Sequence, residues 1–376
     1  METPSVLPQK QRLFFVIPSL MSGGAERVLI ALANYFDQKN CTSVIVALNQ
    51  GDPAYSINEG VKVIYLLDRK SDKLWFRLSY MWLMLYKLLK LLREEKPNCV
   101  LSFITSANIW TGVTCSVLHI PFIVSERTAP KRSINQFRNG VKLFVALLYK
   151  KSKGIVVGAQ GVEDSLRENK AFKSLRNVYK ITNAVPIFNA ISGQTVHHRQ
   201  FILGVGRLEY VKGFDMLITA FSNAQISDID LVIVGDGQEK SNLMHQINDL
   251  GLKDRVFLVG SKTNLQDYYS QAKLFVLPSR NEGYPNALIE AMSFGCPCIA
   301  MDCEFGPSEI IDNGQNGLLV QAANTADLAN AINQLMNNPQ LKDELGTQAL
   351  NINNTNNAAL IFKQWESLLL NPCLIK

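Results

Sequence analysis

Six short apolar runs mark the first half of this chain: residues 13–17 (LFFVI), 43–48, 61–67, 99–103, 122–125 and 154–158. Stretches whose apolar residues recur at helical spacing, 25–36 and 74–95, lie between some of them. The same alternation restarts at residue 201. Strand-like runs at 201–205, 230–234, 256–259, 274–277, 298–301 and 317–320 are interleaved with helical patterns at 214–224, 239–250, 264–272, 286–294, 325–336 and 341–345. Buried strands that alternate with helices predict parallel sheets covered on both faces. Two such series predict an α/β chain of two Rossmann-like domains facing across a cleft. Ligands of such sheets bind beyond the carboxyl ends of the strands.

The pattern lapses where Asn183, Pro186, Asn189, Ser192 and Gly193 supply turn chemistry and His197-His198 follow. The predicted organisation is a domain over residues 1–183, a linker over 184–200 and a second domain over 201–355. An amphipathic helix within 356–376 is expected to pack back toward the first domain.

With 47% hydrophobic and 19% charged residues in 376, the chain can bury two cores and does not read as disordered. The net charge of +6 conceals a strongly basic first half and an acidic second half. A basic half points to an anionic partner: nucleic acid, an anionic lipid surface or a phosphorylated acceptor. Seven scattered cysteines form no C-x-x-C pair, and Cys296, Cys298 and Cys303 lack the His or Cys needed to complete a zinc set. Buried thiols in a reducing compartment are expected, with no metal site. The first 17 residues do not read as a secretory leader. Residues 74–92 are the most membrane-like segment, but Arg77, Lys87 and Lys90 interrupt them, against a spanning helix.

Three motifs carry chemistry. Gly23-Gly24 separates the first strand from the first helix, where small residues let backbone N–H groups approach an anion; a plain tight turn is the alternative. Gly204-Val205-Gly206-Arg207 with Lys212-Gly213 is not G-x-G-x-x-G, so nicotinamide binding is unsupported. It instead sets Arg207 and Lys212 on a loop at a strand's carboxyl end. There they would stabilise the charge that develops on a departing diphosphate. The string PSRNEGYPNALIEAM (278–292) places Glu282 in a turn before a helix that opens at Asn286 and carries Glu290. The turn and helix start, Gly283, Tyr284, Pro285, Asn286, Ala287 and Leu288, can present backbone N–H groups, Pro285 excepted, to a sugar or phosphate. Glu290 can bind a ribose diol and Glu282 the transferred sugar.

Gly206-Arg207-Leu208, Lys212-Gly213, Val234-Gly235-Asp236-Gly237, the Glu282-to-Glu290 block and Asn316-Gly317 together resemble the retaining glycosyltransferases of family 4, with the GT-B fold. The opening loop Gly23-Gly24-Ala25-Glu26-Arg27 resembles that of many members. The resemblance covers nearly the whole chain and is densest from 201 to 320. It implies that Arg207 and Lys212 hold the donor diphosphate, that Glu290 binds the ribose, and that Glu282 with the backbone after Gly283 faces the donor sugar. Gly260 to Leu265 would lie by the base. It implies no metal and no cofactor beyond the UDP-sugar, itself a substrate. Where many members carry a His in the first domain, Ser125-Glu126-Arg127 stands here, as in a subset that builds bacterial surface polysaccharides. Glu126 and Arg127 are therefore read either as acceptor contacts or as a structural ion pair. The absent His favours front-face substitution, in which the leaving phosphate helps to deprotonate the acceptor.

Trp75, Phe76, Tyr80, Trp82 and Tyr86 interleave with Arg77, Lys87 and Lys90, and Phe144, Tyr149, Lys150 and Lys151 form a second such group. Both suit an anionic membrane surface; a core stripe with solvated edges is the alternative. No nucleic-acid recognition motif is present. The expectation is a cytoplasmic transferase, peripheral to the inner face of the cell membrane. It would move a hexose or N-acetylhexosamine to a polyprenyl-diphosphate-linked or other glycan acceptor for O-antigen, capsule or exopolysaccharide. A UDP-sugar 2-epimerase and a non-catalytic binding module are the alternatives.

Overall fold

The computed structural model describes residues 10–370 except 22, 40, 69–73, 128–129 and 131–132, and for 74–78 the backbone alone. The chain divides into two units. One holds residues up to Gly158, Val162–Ile181 and the chain from Phe362; the other holds Ala159–Gly161 and Thr182–Ile361.

In the first unit the elements run β1 (Arg12–Ile17), α1 (Gly24–Gln38), β2 (Thr42–Asn49), β3 (Lys62–Leu67), α2 (Leu74–Glu95), β4 (Cys99–Phe103), α3 (Thr105–Leu118), β5 (Phe122–Glu126), α4 (Asn139–Lys151), β6 (Gly154–Val157), α5 (Gln160–Glu168) and β7 (Val178–Lys180). The seven strands form one parallel sheet in the order β3-β2-β1-β4-β5-β6-β7. Strands β1, β4 and β5 are buried along nearly their whole length because both faces of a parallel sheet are covered.

The second unit continues with β8 (Phe201–Val205), α6 (Phe214–Asn223), β9 (Asp230–Val234), α7 (Lys240–Asp249), β10 (Val256–Leu258), α8 (Leu265–Gln271), β11 (Leu274–Leu277), α9 (Asn286–Ser293), β12 (Cys298–Asp302), α10 (Pro307–Ile310), β13 (Leu318–Gln321), α11 (Thr325–Asn337), α12 (Pro339–Ala349) and α13 (Ile352–Thr355). Its parallel six-stranded sheet has the order β10-β9-β8-β11-β12-β13. Residues 182–200 carry no regular structure, and Val185, Phe188 and Val196 pack on the core of this unit. Helix α14 (Ala358–Leu370) starts in the second unit and from Phe362 belongs to the first. There Trp365 is fully buried, 5.9 Å from the Phe103 ring.

Each sheet reverses its winding once, between β1 and β4 and between β8 and β11. Loops leaving the two central strands diverge at such a point and open a crevice at the carboxyl edge. The motif residues after β1, β8 and β11 sit on those loops.

Candidate active site

At the winding reversal of the second unit, the loop after β8 closes onto the loop after β11. Gly213, at φ +69°, makes the approach possible: a Cβ there would lie 2.1 Å from the Pro278 carbonyl oxygen. Arg280 N donates to Val211 O at 2.9 Å. The turn Tyr210–Lys212 is thereby presented to the end of β11, and Lys212 Nζ reaches Glu282 Oε1 at 2.7 Å. Ser279 Oγ donates to the same oxygen at 2.7 Å. Glu282 is 8% exposed. Both donors bind Oε1, so among the described residues Oε2 takes no hydrogen bond. An ammonium and a carboxylate with one open oxygen meet here at the edge of the sheet.

Gly206 borders this pair; a Cβ on it would come 3.7 Å from Lys212 Cδ. Gly235, at φ +147°, lies so close to the Gly206 carbonyl that a Cβ would be 1.9 Å from it, and Gly235 N donates to Gly260 O at 3.0 Å. Gly206, Gly260, Lys212 and Glu282 therefore share one end of the sheet. Arg207 lies on the same loop with its side chain half exposed, paired to Glu209 at 2.9 Å. The two cations thus have different partners: Arg207 a neighbour on its own loop, Lys212 a carboxylate from the next strand.

Helix α9 begins at Asn286 behind Pro285, which gives no side-chain cap, and the N–H groups of a helix's first turn point outward from its start. A polar set fixes that start. Asn183 Nδ2 donates to Asn286 Oδ1 at 2.6 Å, and Asn356 Nδ2 donates to Asn183 O and Tyr284 Oη, each at 2.7 Å. Burial pushes the Tyr284 phenol up to about 12. Gly283 and Ala287 are half-buried and Pro285 is buried. The Leu288 side chain is in the core, and Leu265 packs against the same cluster, so both can face a ligand only through backbone or nearby surface. Glu290 is 2% exposed and accepts from Tyr269 Oη at 3.0 Å. The two glutamates, close in sequence, face different partners.

In the first unit, Gly23 precedes α1 in extended conformation, and the Glu26 carboxylate lies against it. A carboxylate three residues into a helix and turned back on its start is the capping-box position. The chain's own anion therefore occupies the α1 N-terminus beside Gly23-Gly24. Glu126, 1% exposed, accepts from Thr105 Oγ1 at 2.7 Å, from Asn108 Nδ2 at 2.9 Å and from Tyr149 Oη. Burial raises its carboxyl above the ordinary value while these three donors pull it back. Arg127 Nε donates to Ser125 Oγ at 2.8 Å, and its guanidinium stacks 4.7 Å from the Phe103 ring and 5.6 Å from Trp365. Burial lowers the guanidinium from its ordinary value. Thr105 and Asn108 of α3, Tyr149 of α4 and Trp365 of α14 were not expected around these residues, because they come from three separate helices that only the fold brings together.

Helices α2, α3 and α4 pack side by side. Met81, Trp82, Leu83 and Tyr86 of α2, Val117 of α3, and Val141, Leu143, Phe144 and Leu147 of α4 are exposed, Trp82 at 74%. Lys90, Arg138, Lys150 and Lys151 are exposed on the same helices or at their ends. Two residues expected on this surface are not there. Tyr149 is fully buried as the Glu126 partner, where a phenol beside a buried acceptor satisfies both, and Tyr80 is half-buried with its phenol bonded to the half-buried Asn49. The side chains of Trp75, Phe76 and Arg77 lie outside the described residues. No described helix is long and apolar enough to cross a membrane.

Residues 188–351 match the family model of glycosyl transferases group 1, and residues 22–187 match that of glycosyltransferase family 4. The amylovoran biosynthesis glycosyltransferase AmsD of Erwinia amylovora is 28% identical over 93% of this chain and 96% of its own. A Campylobacter jejuni α-1,4-N-acetyl-D-galactosaminyltransferase is also 28% identical, over 90% of this chain and 92% of its own; its name gives a diNAcBac-PP-undecaprenol-linked glycan as acceptor. Among solved structures, Anabaena HepE in complex with UDP-glucose superposes with a TM-score of 0.78 at 18% identity, over 96% of this chain and 99% of HepE. These matches do not support the epimerase alternative.

Proposed function

The chain belongs to the family 4 glycosyltransferases, and we propose that it moves a hexose or N-acetylhexosamine from a UDP-sugar to a lipid-linked glycan with retention at the anomeric carbon. The observation that carries the reading is the Lys212–Glu282 pair at the winding reversal, with Oε2 of Glu282 open and the uncapped start of α9 on the same loop. Lys212 and Arg207 are assigned to the diphosphate. The first-turn N–H groups of Asn286, Ala287 and Leu288 and the backbone N–H groups of Gly283 and Tyr284 add donors for it and for the sugar, while Pro285 shapes the turn. Glu282 Oε2 is assigned to a sugar hydroxyl, Glu290 to the ribose, and Gly260 and Leu265 to the base.

In the proposed reaction the bond between the anomeric carbon and the diphosphate oxygen breaks, and the acceptor hydroxyl bonds to that carbon from the same face. The hydroxyl proton passes to the departing diphosphate, so UDP leaves. Charge grows on that diphosphate as the bond lengthens, and two cations fixed beforehand stabilise it more than the ground state. Names of relatives support surface polysaccharide assembly and a polyprenyl-diphosphate-linked acceptor. The UDP-glucose complex of a protein of the same fold supports a UDP donor. The exposed apolar face of α2, α3 and α4, edged by lysines, supports peripheral binding to an anionic membrane, where such an acceptor resides.

The test is incubation of the purified protein with labelled UDP-sugars and membrane extract. The expected result is UDP release and label in the lipid-linked fraction, with an α-linked product from an α-linked donor. No release and no transfer with any donor would sink the proposal.

A further inference from the structure

Arg280 stands two residues before Glu282 and binds the loop after β8 and the first turn of α6. Its guanidinium donates to Tyr210 O at 2.7 Å and forms a two-pronged pair with Asp215, Nη1 to Oδ1 at 2.7 Å and Nη2 to Oδ2 at 2.5 Å. It also lies 3.9 Å from the centroid of the Tyr210 ring. Its own backbone N–H binds Val211 O. Five contacts from one residue thus bind the turn that carries Lys212 at Tyr210 and Val211, and the helix that follows it at Asp215. A planar fork bound on two edges and one face fixes orientation in a way that a lysine ammonium does not.

We propose that Arg280 is a positioning residue for the donor site: it latches the Tyr210–Lys212 turn to the end of β11 and so sets where the Lys212 ammonium sits. The inference rests on reading Lys212 and Glu282 as donor-facing. Without the Arg280 side chain, the turn would keep the Gly213 contact and the backbone bond to Val211, and the Lys212 ammonium its pair with Glu282, but the turn would move more freely and the long lysine stem would sample more rotamers. Arg280 would act on the diphosphate only through Lys212. Asp215 and Tyr210 are part of the device, the carboxylate fixing the fork's edge and the ring its face.

Two measurements test this. The first needs no nucleotide: the rate of Lys212 acetylation by a water-soluble acyl ester, read by peptide mass spectrometry on the folded full chain. Wild type should label slowly, Arg280→Ala about tenfold faster, and Arg280→Lys in between. Asp215→Asn, at a half-exposed position, serves as a second variant should Arg280→Ala unfold. An unchanged Lys212 rate in folded Arg280→Ala or Asp215→Asn overturns the proposal. The second is a mutant cycle on donor kcat/KM. Arg280→Ala should cost on the order of tenfold with Lys212 present, mostly in kcat, and less than about twofold in a Lys212→Met background. Fully additive losses overturn the latch. Should Lys212→Met itself leave UDP release intact, the donor reading falls, while the acetylation rate still decides whether Arg280 positions Lys212.

Discussion

Replacing Lys212 by Met removes the ammonium and keeps most of the stem. The pair it breaks is 2.7 Å long, with side chains 23% and 7% exposed. At an effective permittivity of about 20, two charges at that distance attract by about 6 kcal/mol, and the desolvation of both groups offsets most of it. Removing one partner of a fully buried pair costs about 3–5 kcal/mol, and the partial exposure of Lys212 brings the expected loss to about 2–3 kcal/mol. For a unit of this size that is a fall in melting temperature of about 5–10 °C. Ser279 still donates to Glu282, which holds the loss at the lower end. Catalysis should fall further, by about 10²–10³ in kcat/KM, the range for losing one preorganised stabiliser of developing charge. The double variant Lys212→Met with Glu282→Gln should regain most of the melting temperature and none of the activity, because the amide leaves no buried charge unpaired. Calorimetric melting and UDP release measured on the same preparations check both. A Lys212→Met protein that melts lower yet releases UDP at the wild-type rate would refute the assignment and leave the pair a structural ion bridge.

Glu126 gives a pH prediction. Its carboxyl is raised by burial above the ordinary 4.5, so the folded chain binds the proton more tightly than the unfolded one. That contribution to stability is full below about pH 4.5 and is lost as pH rises to the folded value, at about 1.4 kcal/mol per pH unit inside the window. Glu126→Gln should flatten this slope in chemical denaturation across pH; parallel curves would contradict it. Cys296 and Cys303 are pushed up to about 12 and Cys99 to about 11 by burial. With Cys373 replaced by Ser, native protein should therefore resist iodoacetamide at pH 8 and label at all six remaining thiols once unfolded. Trp82→Glu with Phe144→Glu should lower binding to phosphatidylglycerol vesicles at least tenfold without changing the melting temperature, as read by co-sedimentation. Equal binding of the variant would remove that face from the membrane reading.

Much of the fold was legible because periodicity is local. Residues 201–205 and 274–277 read as strands and are β8 and β11. Helix α3 escaped for a physical reason. Thr105, Asn108, Thr111 and Thr114 all turn inward, so its buried face is polar and shows no apolar stripe. Helix α4 escaped for the opposite one: Val141, Leu143, Phe144 and Leu147 are apolar on the exposed side as well. Strand β7, three residues long and only half-buried, is too short for any period.

From the sequence alone came the residue types that can do the chemistry: the glycines that allow close backbone approach, Lys212 and Arg207 after one strand, Glu282 and Glu290 around a helix start. Tertiary structure alone decided which of them meet. Lys212 finds Glu282 across 70 positions, and Arg280 finds Asp215 across 65. Tyr149, which reads in the sequence as half of an aromatic and basic surface patch, became the buried partner of Glu126. Local pattern follows from a chain's own geometry over a few residues. Partnership between distant side chains depends on strand order, which only the packed sheet settles.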